Sequence, residues 1–523
     1  MLQNPVTVES LIIFAVVLCI HTIVWDKLSW CAVALALQAY YVQHKWDRLQ
    51  KSGGAVFQYR QAVSTGVLPA SMVIPLLGIV IKEHCGSVGN VNMARFGILL
   101  AAIGMALALF VSLIALGITR PIPKNTCVLA GIIGSGIVYT LKHLLTVSEV
   151  IEVLEILLIF VYLSLIILWL LPRSFTPGEA LLVNGGISIV INQLIKRSLN
   201  VGDSRMDPVF HFLLVVLVGV FLMGIFFTVF FYFMDSETWI SSLFFHMMTA
   251  VLGLGIIMPW LYRLMKTNPI MWLFGFLFQT RTRIILLCFW TLLAVAACCV
   301  VLYQHFRNCS GTKKNTTSTV VRKYFHFIVV ATYVPGLIYD HHLLYVAAVI
   351  CFAVFVFLEY VRHFKIKPMG HLLSKTLSVF IDERDSGPLI LTHIYLLLGM
   401  SLPVWLFPEP CTHKGSLPGI GGLVPYAGVL AVGIGDTVAS IFGSTLGEFK
   451  WPGTRKTFEG TATSVFAQII CVAVILIFDH NVVLNAGYGW ILGSITLVSL
   501  LEAYTDQIDN FILPLYLYCL FMV

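Results

Sequence analysis

A short polar loop near the end of the chain, Ser444-Thr-Leu-Gly-Glu-Phe-Lys-Trp-Pro-Gly-Thr-Arg-Lys-Thr-Phe-Glu-Gly460, gathers glycines, hydroxyls and three cations between two apolar runs. Gly447, Gly453 and Gly460 can turn several backbone amides toward one anion. Lys450, Arg455 and Lys456 add positive charge, and the apolar run that follows offers a helix N-terminus to the same place. This is a cradle for a polyphosphate. It is not a P-loop, because no G-x-x-x-x-G-K-[ST] sequence occurs.

Acidic partners stand on either side of that loop. Asp436 lies in the apolar run before it, flanked by Gly433, Gly435, Thr437, Ala439 and Ser440, small residues that let a helix or a ligand approach. A carboxylate at membrane depth costs about 2.5 kcal/mol or more, so it needs a partner or a purpose. The structural reading is a packing residue with one buried hydrogen bond; the functional one is a metal ligand or a base. Glu502, Asp506 and Asp509 are spaced by four and three, which predicts one helical face able to share Mg²⁺ with substrate phosphates. The competing reading is a solvated helix end.

Other polar groups carry weaker signals. Asp382-Glu-Arg-Asp-Ser-Gly-Pro388 supplies a second acidic cluster, with Asp385 a candidate base, or else a solvated turn. Lys323 reads as a snorkelling anchor, Glu359 as one half of an ion pair with a nearby arginine, and His393 as a packing histidine. Asp340-His-His342 falls on the opposite membrane face from the basic loops and is set aside despite its metal-like look.

The elements that must position these residues are transmembrane helices. Hydrophobic residues make up 59% and charged ones 11% of 523, which excludes an ordinary soluble domain. Apolar runs recur from 11–25 to 511–523, several shorter than the roughly 20 residues a full crossing needs, so the chain is expected to be an all-α bundle of about 13 to 17 spans. A polar seam at 304–326 suggests two regions: a multi-span scaffold over 1–310 and a chemical half over 320–523.

Lys and Arg crowd loops 304–326, 362–387 and 444–460, which alternation places on one side; the positive-inside rule makes that side cytosolic. The sequons at Asn308 and Asn315 lie in a basic loop and so read as unused. The first apolar run follows no basic segment and reads as a retained anchor. A net charge of +7 without a basic, aromatic-interleaved run argues against a nucleic-acid surface. The 12 cysteines fall mostly inside apolar runs, their spacing suggests neither a disulfide frame nor a zinc site, and they read as buried, inert thiols.

Five segments in order, Arg322-Lys-Tyr-Phe-His326, Leu358-Glu-Tyr-Val-Arg362, Asp382-Glu-Arg-Asp-Ser-Gly387, Gly433-Ile-Gly-Asp-Thr-Val-Ala-Ser440 and Trp451-Pro-Gly-Thr-Arg-Lys-Thr-Phe-Glu-Gly460, resemble the polyprenol kinases, most closely those of animals that act on dolichol. The last 200 or so residues also share a looser likeness with phytol kinases and with membrane cytidylyltransferases. The resemblance implies CTP-dependent phosphorylation of dolichol at the cytosolic face of the endoplasmic reticulum, supplying dolichyl phosphate for N-glycosylation. It also implies a CTP-binding segment formed by Ser444, Thr445, Gly447, Glu448, Phe449, Lys450, Trp451, Pro452, Gly453, Thr454, Arg455, Lys456, Thr457, Phe458 and Glu459.

The mechanism expected is in-line transfer of the γ-phosphoryl group, with the basic residues on the phosphates. Asp436 and one of Glu502, Asp506 or Asp509 would hold a divalent ion, and Asp436 or Asp385 would accept the alcohol proton. A cytidylyltransferase is the nearest enzymatic alternative. A transporter is the alternative from another class, disfavoured because the acids gather at one face and no internal repeat is visible.

Overall fold

The computed structural model describes residues 4–51, 57–118, 124–199, 208–309, 319–377, 387–407, 422–480, 482, 484 and 487–523. The described chain is helical, as expected. In order it forms α1 (Pro5–Val24), α2 (Lys27–Lys51), α3 (Val67–Ser87), α4 (Val91–Ile118), α5 (Lys124–Leu144), α6 (Val147–Leu170), α7 (Pro177–Leu199), α8 (Pro208–Phe233), α9 (Trp239–Leu252) and α10 (Met258–Met265). There follow α11 (Pro269–Leu277), α12 (Arg281–Cys309), α13 (Thr319–Tyr339), α14 (His341–His363), α15 (Gly370–Leu377), α16 (Thr392–Trp405), α17 (Thr437–Thr445), α18 (Phe458–Phe478), α19 (Tyr488–Tyr504) and α20 (Asp509–Met522). Among the described residues 11 helical segments are long and apolar enough to cross a membrane, and four shorter apolar helices accompany them.

Contacts group the chain into two compact units, residues 1–188 with 402–523, and residues 189–401. This is a different division from the seam read at 304–326. The first unit brings opposite ends of the sequence together: α1 packs on α19, and α3 packs on α20 and closely on α4. Close approach of α3 and α4 depends on glycine, since a Cβ at Gly78 would lie 2.2 Å from the amide nitrogen of Ala101. The second unit is centred on Met223, Phe227, Phe245, Val361, Phe364 and Ile366.

Two polar groups of the second unit are held by arginines, and for Glu359 this is the ion pair set against a site role in the sequence. Glu359 takes a bidentate pair from Arg362, at 2.5 and 2.7 Å, and accepts the Ile390 amide at 2.6 Å. Asp340 caps α14 through the Leu343 amide and pairs with Arg283 at 2.6 Å. The cysteines depart in part from expectation. Cys85 is disulfide-bonded, and Cys288, Cys298, Cys299 and Cys351 are exposed on helix surfaces instead of buried.

Candidate functional site

Asp436 ends a π-helical stretch, Val429–Asp436, that runs directly into α17. Such wide turns are rare and often mark functional positions. This stretch packs against α18, α19 and α20, so Asp436 stands where four segments converge and is only 4% exposed. Gly435 permits the approach, because a Cβ there would sit 2.7 Å from Nε2 of Gln468 on α18.

The loop after α17 is an ordered hairpin. Lys450 and Thr457 form an antiparallel bridge, the Trp451 amide donates to the Lys456 carbonyl at 2.9 Å, and the Phe458 amide donates to the Phe449 carbonyl at 2.8 Å. The Glu459 carboxylate accepts the Phe449 amide at 3.0 Å. Thr457 caps α18 by accepting the Gly460 amide at 3.2 Å. Trp451 fastens the hairpin to the bundle: its indole donates to Thr461 at 2.9 Å and its ring packs on Tyr504 at 5.7 Å between centroids.

The glycines divide their tasks differently from the sequence reading. Gly453 alone of the three has a left-handed backbone, at φ 75°, and makes the tip of the turn. Gly447 and Gly460 serve close packing instead. A Cβ on Gly447 would meet the Gly443 carbonyl at 2.3 Å, and one on Gly460 the Ala439 carbonyl at 2.8 Å.

The three cations also part company. Lys450 and Arg455 are exposed on the hairpin. Lys456 turns inward and forms an ion pair with Glu502 of α19. Asp509 and Asp436 act on the same ammonium. Burial alone would pull the Lys456 pKa down; the carboxylates of Glu502, Asp509 and Asp436 outweigh it and hold the ammonium above the ordinary lysine range. Lys456 keeps 36% of its side chain accessible, whereas Glu502 keeps 5%. The cluster therefore opens toward the hairpin side.

The expectation of one acidic face on one helix is corrected. Helix α19 ends at Tyr504, with Thr505 extended at φ −77° and ψ 137°, and α20 begins at Asp509. Glu502 pairs with Lys456 from α19, and Asp509, which opens α20, acts on the same ammonium through its charge. Asp506 lies in the link between them, and its Oδ2 accepts the Val63 amide at 2.7 Å. Among the described residues no three acidic, histidine or cysteine side chains are arranged to hold a metal ion by themselves. Asp385 and the sequon residue Asn315 lie outside the described residues.

Two features of the site carried no signal in the sequence reading. The first is the polar stripe Thr461, Ser464 and Gln468 along the buried face of α18, visible in retrospect as a helical spacing of three and four. Gln468 there donates to Ser499 at 3.0 Å, just below Glu502. The second is the set of N-terminal groups that surround the 505–508 link.

The family model described as dolichol kinase matches residues 1–397 and 396–437. The chain is 67% identical over 522 residues to dolichol kinase of Bos taurus and to that of Homo sapiens, covering 100% of this chain and 97% of each relative. It is 35% identical over 256 residues to dolichol kinase EVAN of Arabidopsis thaliana, covering 48% of this chain and 43% of the relative. No solved structure matches it. The chain belongs to the dolichol kinase family.

Proposed function

We propose that this chain transfers the γ-phosphoryl group of CTP to the terminal hydroxyl of dolichol where Lys456 meets Asp436, Glu502 and Asp509. The product, dolichyl phosphate, would serve N-glycosylation and related sugar transfers. The observation that carries this reading is the inward-turned ammonium among three carboxylates, at the foot of a basic hairpin, in a chain of this family.

Phosphoryl transfer leaves a protein chiefly the tasks of positioning and charge neutralisation. The exposed Lys450 and Arg455 would take the α- and β-phosphates, and Lys456 would reach the transferred γ-phosphoryl group. Asp436 would accept the proton of the dolichol hydroxyl; it is preferred to Asp385 because it is buried where the helices converge and its charge acts on Lys456. Mg²⁺ fits the donor set, since it takes one or two carboxylates and completes its shell with phosphate oxygens and water. Asp436 with Glu502 or Asp509 would hold it, and it would neutralise charge on the triphosphate.

The site would face the cytosol across the endoplasmic reticulum membrane. Two observations support that orientation. The hairpin end of the first unit carries Lys45, Arg48, Arg173, Lys450, Arg455 and Lys456, against Lys27, Lys82, Arg95 and Lys142 at the other end. The disulfide-bonded Cys85 lies at the far end of α3 from the 505–508 link, the end that would meet the oxidising lumen. The apolar tail of dolichol would lie along the bundle in the bilayer.

Incubating purified protein with γ-labelled CTP and dolichol tests the reaction class. Label in the lipid supports a kinase. Label released in pyrophosphate supports a cytidylyltransferase and overturns the proposal.

A further inference from the structure

Four consecutive residues, Thr505 to Ile508, join the helix that carries Glu502 to the helix that opens with Asp509. Every one of them is held by a group from the first 179 residues of the chain. The Thr505 hydroxyl donates to Glu9 at 2.7 Å. Asp506 accepts the Val63 amide at 2.7 Å. Gln507 accepts the Thr176 hydroxyl at 2.7 Å and donates to the Ser64 carbonyl at 3.0 Å. The Ile508 amide donates to Glu179 at 3.1 Å.

The holding groups are themselves fixed. Glu179 is fully buried and also accepts from the Thr176 amide at 2.8 Å and from Arg60 at 2.5 Å. Arg60 is 3% exposed, so this is a charge pair withdrawn from solvent. The Gly178 amide donates to the Thr65 carbonyl at 2.9 Å, joining the two N-terminal segments. The fit leaves no slack: a Cβ on Gly66 would lie 2.0 Å from the Gln507 side chain, and one on Gly178 would lie 2.0 Å from the Gly66 carbonyl. Gln507 and Thr176 are wholly buried.

We infer that Arg60, Thr176, Glu179 and Gln507 form a positioning clamp, through which the N-terminal helices fix the 505–508 link so that Glu502 and Asp509 converge on Lys456. This rests on the reading of Lys456 and its acids as the catalytic centre. The physical reason for such a device is the helix break itself. Two carboxylates on separate helices keep their spacing only if the turn between them is rigid, and a misplacement of about 1 Å at a transfer site can cost about 100-fold in rate. Backbone amides, the buried Gln507 amide and a carboxylate already neutralised by Arg60 provide that rigidity.

The test uses full-length protein in detergent and measures kcat, both KM values and the folded, monodisperse fraction. Thr176→Val removes one hydroxyl at constant shape; Gln507→Leu removes both of its hydrogen bonds at similar size. Each is expected to lower kcat per folded molecule about 10-fold or more, with KM for CTP and for dolichol within about twofold. Thr176→Ser keeps the hydroxyl and is expected to restore kcat. The double variant should fall little further than Gln507→Leu, because the Thr176–Gln507 hydrogen bond is already lost in that single variant. Should either variant fail to fold, Thr505→Val, which removes the hydroxyl that donates to Glu9 and accepts the Gln507 amide, is read the same way. A kcat within about twofold of wild type in the folded variants would overturn the clamp. Asp436→Asn is assayed alongside: its inactivity with unaffected clamp variants sinks the clamp alone, whereas its full activity sinks the catalytic reading beneath it.

Discussion

Lys456 and Glu502, 46 residues apart in sequence, meet as an ion pair at the foot of the hairpin, with the acid buried and the amine part-exposed. Their asymmetry matters. Removing the lysine strands a buried carboxylate, whereas removing the acid leaves an amine that can turn to solvent.

Lys456→Met is therefore expected to lower both thermal stability and activity, the latter by about 100-fold or more. Adding Glu502→Gln to it should recover stability, with a coupling of about 1–3 kcal/mol, and should not recover activity. Thermal unfolding of the purified variants, read beside label transfer, separates the two effects. Recovery of both would make the pair structural only.

Lys450 and Arg455 face solvent, so their expected role is in binding and not in the chemical step. Lys450→Ala and Arg455→Ala should each raise KM for CTP several-fold, by about 5-fold, with kcat nearly unchanged, and should weaken the salt dependence of KM. A loss confined to kcat would place these side chains at the transferred group instead.

The carboxylates around Lys456 raise its pKa, which fixes the sign of a pH effect. A raised folded-state value means that the ion pair's contribution is complete below the unfolded lysine value, about 10.4, and is lost only as pH climbs through the folded value. Activity from about pH 6 to about pH 9 should show no basic limb from this group. A limb in that window that disappears in Lys456→Arg would contradict the assignment.

Gly447→Ala is expected to destabilise the protein by about 1–3 kcal/mol, since its Cβ would strike the Gly443 carbonyl at 2.3 Å. Gly493→Ala is the control within α19, with nothing within 4 Å of the added atom. Comparing their unfolding midpoints checks whether the hairpin hangs on close packing of α17 against α18.

The helical class and the two chief landmarks were legible because each violates its surroundings: Asp436 is a carboxylate in an apolar run, and the hairpin is a polar interruption between two spans. The convergence of acids was only half legible. The spacing of Glu502, Asp506 and Asp509 suits one helix, and the break at Thr505 is marked by neither glycine nor proline. The tertiary bonds of that link set its path. Lys456 looked equivalent to Lys450 and Arg455 because the direction of a loop side chain depends on what α19 presents to it. The clamp was invisible for a related reason. The hydrogen bonds that hold the link span 329 to 496 residues, and no periodic pattern encodes such a pairing.

The most direct measurement compares wild type and Asp436→Asn, purified and shown to be folded, for transfer of label from γ-labelled CTP to dolichol. The expected result is labelled lipid from the wild type and at least about 100-fold less from the variant. Undiminished transfer by Asp436→Asn would remove Asp436, and the centre built around it, from the reaction.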